Sequence, residues 1–182
     1  MMKKFLVLLF LIIVGCGYTT RGFVYTQSTI IIKPVINNID ISSENRKYSD
    51  YTSFPILIEN RLTNEIVSKF NIEGNLKVVS EDPNALVLVC TVNDYSRDTL
   101  RYNNADEVDE QRLRLNTHIK LTDGDGKILQ EKSVSGEATY YLEDPNTNSN
   151  DGVVVRRSES AAQLDLIDDT ARRICEAVTE EW

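Results

Sequence analysis

Residues 85–95 read ALVLVCTVNDY, and they fix the kind of core this chain can build. In an extended strand, Leu86, Leu88, Cys90 and Val92 point one way, while Val87, Val89 and Thr91 point the other. A strand apolar on both faces belongs in the middle of a sheet. The stretch Gln111 to Leu121 behaves differently. Leu113, Leu115, Thr117, Ile119 and Leu121 fall on one face, and Arg112, Arg114, Asn116, His118 and Lys120 on the other. Strict alternation of this kind marks a half-buried strand. Asp123-Gly124-Asp125-Gly126 then signals a hairpin. The return strand is expected over about Lys127 to Tyr141, with Gly136 as a bulge candidate.

Two helices and one more strand complete the plan. Thr29 to Val35 is β-branched and continuous, with Pro34 suited to its end or to an edge. A helix is expected from about Thr52 to Asn71, capped by Thr52 or Ser53, with Phe54, Leu57, Ile58, Leu62, Ile66 and Phe70 on its apolar face. A last helix is expected from about Ser160 to Glu180, its stripe being Ala161, Leu164, Ile167, Ala171, Ile174, Cys175 and Val178. Polar stretches at 37–49, 103–110 and 143–151 read as loops. The fold class is α+β: a three- or four-stranded mixed sheet with two helices packed on one face and the other face partly open.

The chain begins MMKKFLVLLFLIIVGC, with a basic start, an apolar run from Phe5 to Val14, and Gly15 before Cys16. That run is half the roughly 20 residues a spanning helix needs, so it reads as an export signal. A Cys directly after Ile13-Val14-Gly15 resembles a bacterial lipobox, which implies cleavage before Cys16 and a covalent lipid on it. The expected organisation is a signal peptide at 1–15, a lipidated tether at 16–28 and a single domain at 29–182. Anchoring to a membrane is expected through acyl chains, of which two or more hold stably. Gly17, where enteric sorting uses Asp for inner-membrane retention, favours the outer membrane and its periplasmic side.

Removing Lys3 and Lys4 with the signal leaves 18 basic against 28 acidic residues, a net charge of −10. Such a balance argues against wholesale nucleic-acid binding. Cys90 and Cys175 are the remaining cysteines. Export permits a disulfide and burial permits two free thiols, and the spacing leaves both open.

Catalytic signatures are sparse. The single His, His118, lies on the polar side of a strand, and no GxSxG elbow occurs. Asp123-Gly124-Asp125-Gly126 has part of a calcium loop's spacing but Val134 stands where that loop needs Glu. Neither a zinc pattern nor a P-loop is present. No metal or cofactor is expected beyond the lipid on Cys16. The recurring cations Arg112, Arg114 and Lys120 stand out in an acidic chain, with Arg97 and Arg101 further on. Arg and Lys at even spacing suit phosphate groups, and they equally suit pairing with neighbouring acids.

The order of features along residues 16–182 resembles the LptE family of lipopolysaccharide-assembly lipoproteins. Cys16-Gly17-Tyr18 and Arg21-Gly22 open it, followed by a first strand ending at Pro34 and by Asn37-Asn38. The first helix, Val78-Val79 and the strand from Asn84-Ala85-Leu86 to Tyr95 come next. Arg112-Leu113 to Leu121, the Asp123-Gly124 hairpin and the final helix close it. The chain is more acidic than enteric members, and its loop at 37–50 is longer. The resemblance implies a non-enzymatic plug inside an LptD-like outer-membrane β-barrel, assisting barrel assembly and the insertion of lipopolysaccharide. On that reading, phosphates of lipopolysaccharide are the partners expected for Arg112, Arg114 and Lys120. The alternative is an envelope lipoprotein of the same architecture serving as scaffold or accessory subunit of another complex.

Overall fold

The computed structural model describes Tyr25 and residues 27–40, 54–73, 75–142 and 158–179. The expected signal, Cys16 and most of the tether lie outside the described residues, as do Thr52 and Ser53. Elements follow in the order β1 (Thr29–Ile32), β2 (Ile36–Asn37), α1 (Ile58–Glu73), β3 (Lys77–Val78), β4 (Leu86–Tyr102), β5 (Val108–Thr122), β6 (Ile128–Tyr141) and α2 (Glu159–Thr179). The class is the expected α+β. The strand count is higher than expected, because six strands form one sheet in the order β3-β1-β4-β5-β6, with β2 also paired to β4. The short strands β2 and β3, two residues each, carry no periodicity that a sequence pattern can register.

β4 is central, as its two apolar faces require. It runs parallel to β1 and β2 and antiparallel to β5. β1 also runs parallel to β3, and α1 makes the crossover that a parallel return needs. β4 continues seven residues past Tyr95, and β5 begins at Val108 inside the stretch expected to be a loop. The two form a long hairpin, whose far end from Thr99 to Tyr102 is exposed.

Leu86, Leu88, Cys90, Val92, Leu113, Leu115, Ile119 and Leu121 are fully buried on one face. Both helices pack there. α1 contributes Ile58, Leu62, Ile66 and Phe70 at four-residue steps. Leu57, expected on that face, precedes the helix with φ 59° and is exposed, and its carbonyl accepts the N–H groups of Asn60 and Arg61. α2 buries Ala162, Leu166, Ile167, Thr170, Ala171, Ile174, Cys175 and Val178. Leu164 is 58% exposed rather than buried, on the flank facing Arg61, Asn64 and Glu65 of α1. The helices run parallel: Lys69 pairs with Asp168, and the Cys175 thiol reaches a Glu73 carboxylate oxygen at 3.2 Å. Cys90 and Cys175 are free and buried.

Gly136 makes no bulge; β5 and β6 stay in register through it and shift only between Leu121 and Thr122. It faces α2, where a Cβ would stand 2.8 Å from Thr170 Cα. The glycine lets the helix backbone approach the sheet.

Candidate functional site

Pairing register sorts the uncovered face of the sheet into rows, because side chains directly opposite share a face. The first row runs Ile31, Val87, Thr122, Ile128 across β1, β4, β5 and β6. The second is Val89, Lys120, Glu131, and the third is Ile36, Thr91, His118, Ser133. A register shift between Val92 and Asp94 follows. Beyond it come Asp94, Asn116, Ser135, then Ser96, Arg114, Glu137, then Asp98, Arg112, Thr139. The face is therefore graded. Its end beside the N-terminus of β1 is β-branched, and its end beside the β4–β5 hairpin is charged.

Arg112 and Arg114 lie together in the charged rows, as their spacing predicts. Arg114 Nε donates to Glu137 Oε1 at 2.9 Å, and its Nη1 lies 3.2 Å from Asp98 Oδ2. Arg112 reaches the same two carboxylates at 3.4 and 3.7 Å. The hydrogen bond from Arg114 holds the Glu137 carboxyl below its usual range, and the same bond raises the guanidinium. This four-residue cluster is neutral in sum. Asn116 donates to Asp94 at 3.2 Å beside it.

Lys120 stands apart, six residues and about 20 Å along the strand from Arg114. Its neighbours across the strands are Val89 and Glu131. Glu131 is engaged by His118, 3.0 Å away. Among the described residues no ion pair holds Lys120. So the three expected cations share one face, but only the two arginines are neighbours. Arg101 pairs with Glu110 at 3.2 Å, and Arg97 pairs with Glu159 at the start of α2. Sequence spacing could not find Glu137, which joins the arginines through the β6 register.

The first aspartate of the 123–126 turn serves the backbone. Asp123 Oδ1 accepts N–H groups from Asp125 and Lys127, and Asp82 is held below the usual carboxylate range by the Thr29 hydroxyl and the Asn84 N–H. Among the described residues no three His, Cys, Asp or Glu side chains converge as a metal site, and no helix is long and apolar enough to cross a membrane.

A family model described as LptE, lipopolysaccharide-assembly, matches residues 36–178. The chain belongs to the LptE family. The match spans β2 through most of α2, including every row of the open face beyond Ile31. Among solved structures, this LptE-family chain is similar to a Xanthomonas campestris protein at 9% identity, covering 88% of this chain and 86% of that one with a TM-score of 0.51. The likeness extends the shared fold. A minor lipoprotein from Acinetobacter baumannii aligns at 16% identity over 84% and 91% of the two chains, TM-score 0.49. A rare lipoprotein B from Shewanella oneidensis aligns at 16% identity over 81% and 92%, TM-score 0.44. A search of curated proteins finds no match.

Proposed function

We propose that this chain is an outer-membrane lipoprotein, lipidated at Cys16, that seats in an LptD-like β-barrel as a non-enzymatic plug and assists lipopolysaccharide insertion into the outer leaflet. The family match over residues 36–178 carries the reading. The sequence MMKKFLVLLFLIIVGC supports export and lipid attachment on the periplasmic side. Lipopolysaccharide presents phosphates, and Arg112, Arg114 and Lys120 share the uncovered sheet face. At the arginines a phosphate has to displace Asp98 and Glu137; at Lys120 it displaces no ion-pair partner among the described residues. The test is affinity purification of the full-length lipoprotein from its native envelope. A stoichiometric large barrel in the eluate is expected. Recovery of a different envelope complex with no barrel would turn the assignment to the scaffold alternative.

A further inference from the structure

The open face has an apolar end that the phosphate reading leaves without a role. Ile31, Val87 and Val89 are half-buried there, and Ile36 is 53% exposed on the third row. Thr91, Thr122 and Ile128 continue the same surface. Two basic side chains border this patch on either side of Val89: Lys120 directly opposite it on β5, and Lys33, whose N–H continues the β1–β4 ladder to the Leu88 carbonyl and which shares the face of Ile31. Three arrangements then point the same way. The charged rows at the other end neutralise themselves through Arg112, Arg114, Asp98 and Glu137, so they attract an anion weakly. Among the described residues Lys120 is a cation without an ion pair, set at the border of hydrocarbon. And the patch lies at the end of the sheet where β1 begins. Twelve residues lie between Cys16 and Thr29, a span of at most about 45 Å, so a lipid on Cys16 keeps this end on a short leash to the bilayer.

A surface with a β-branched strip and adjoining cations matches an amphiphile with hydrocarbon and phosphate in that order. We propose that the apolar end of the open face is a resting site for an acyl chain of lipopolysaccharide, with Ile31, Ile36, Val87 and Val89 against the hydrocarbon and Lys120 on an adjacent phosphate. The proposal rests on the lipopolysaccharide role above and deepens it. It divides the face: the lipid's acyl and phosphate region lies over rows one to three, and the self-paired arginine rows meet its more polar parts or none.

The experiment uses full-length lipoprotein in living cells. Photoreactive benzoylphenylalanine replaces Val87 or Val89 in the apolar rows, and Ser96 or Thr139 in the polar rows. After irradiation, adducts are identified by an antibody to lipopolysaccharide and by mass spectrometry. Adducts with lipopolysaccharide are expected at 87 and 89. Adding Lys120→Gln, or Val89→Asp with the probe at 87, should lower their yield about tenfold, the scale of a lost phosphate contact or of one or two desolvated methylenes. Lys120→Arg should restore it. Lipopolysaccharide adducts confined to 96 and 139 overturn the proposal. So do adducts at 87 and 89 made only with protein, with phospholipid or with the chain's own anchor. Barrel co-purification is scored on the same samples. A barrel recovered without lipopolysaccharide adducts at 87 and 89 sinks the acyl site alone; loss of both sinks the broader role as well.

Discussion

At the residue scale, sheet and helix meet closely where Gly136 faces Thr170. An added Cβ at 136 would lie 2.0 Å from Thr170 Oγ1 and 2.8 Å from its Cα. The second contact is backbone, which a rotamer change cannot relieve. Gly136→Ala should therefore destabilise by about 1–3 kcal/mol, the usual scale of overpacking, read as a lower urea midpoint with an unchanged m-value. Gly126 is the opposite case. Its φ of 83° demands glycine but nothing crowds it. The two cysteines form a further residue-level test. Burial pushes the Cys90 thiol up to about 12, and burial, helped by Glu73, pushes Cys175 up too. A thiolate is the reactive form. With Cys16→Ser in place, a chromogenic disulfide reagent at pH 8 should leave the folded protein unlabelled and label two thiols once it is denatured. Rapid labelling of the native chain would contradict their burial.

At the element scale, both long hairpins use one device. Asn103 and Asp123 each open a five-residue turn, accepting N–H groups two and four residues on, at 2.8 and 3.0 Å for Asn103 and 3.1 and 2.8 Å for Asp123. The fourth residue takes a positive φ: Gly126 at 83° in one turn, Asp106 at 60° in the other. Asp tolerates that region at a cost glycine does not bear. Asp106→Gly should leave the register intact and raise stability by about 0.5–1 kcal/mol, measured in denaturant melts; a fall would mean the aspartate side chain holds the turn. Leu88→Ala in β4, fully buried between sheet and helices, should cost roughly 2–5 kcal/mol.

These elements also show what the amino-acid pattern could and could not say. β4 was legible because a run apolar on both faces belongs inside a sheet, and β5 because alternation at period two survives over many residues with one face buried. The Asp-Gly hairpin was legible from turn chemistry. Leu164 was not, since a periodic leucine is buried only if a partner covers it at that level, and α1 presents Arg61, Asn64 and Glu65 there. The cations Arg112, Arg114 and Lys120 were assigned to one face correctly, because period two settles that. Their different surroundings depend on Asp98 and Glu137, brought in by strands whose register no local pattern states.

At the scale of the whole molecule, one carboxylate ties the last helix to the last strand. β6 is the sheet's edge, and an edge strand's outward N–H groups need partners. Asp169 of α2 accepts the Glu137 N–H at 2.9 Å, and it pairs with Arg172 and with Arg173, the latter at 2.7 Å. Burial pushes the Asp169 carboxyl up, but the Glu137 N–H and the two guanidinium groups outweigh it, so its pKa is lowered. Glu137 is lowered as well, chiefly by the hydrogen bond from Arg114. A carboxyl whose folded pKa is depressed binds its proton more readily in the unfolded chain. Its contribution is fully present above the unfolded value, about 4 for Asp or Glu, and is lost as pH falls through the folded value. The urea midpoint of the lipid-free mature chain should therefore fall as pH drops below about 4. Asp169→Asn keeps the size of the side chain but removes the charge that Arg172 and Arg173 hold. It should be clearly less stable than wild type at pH 7, and the gap should narrow as pH falls and wild-type Asp169 is protonated first in the unfolded chain and then in the folded one. A gap that stays the same as pH falls would mean that the charge of Asp169 is not what joins helix to sheet.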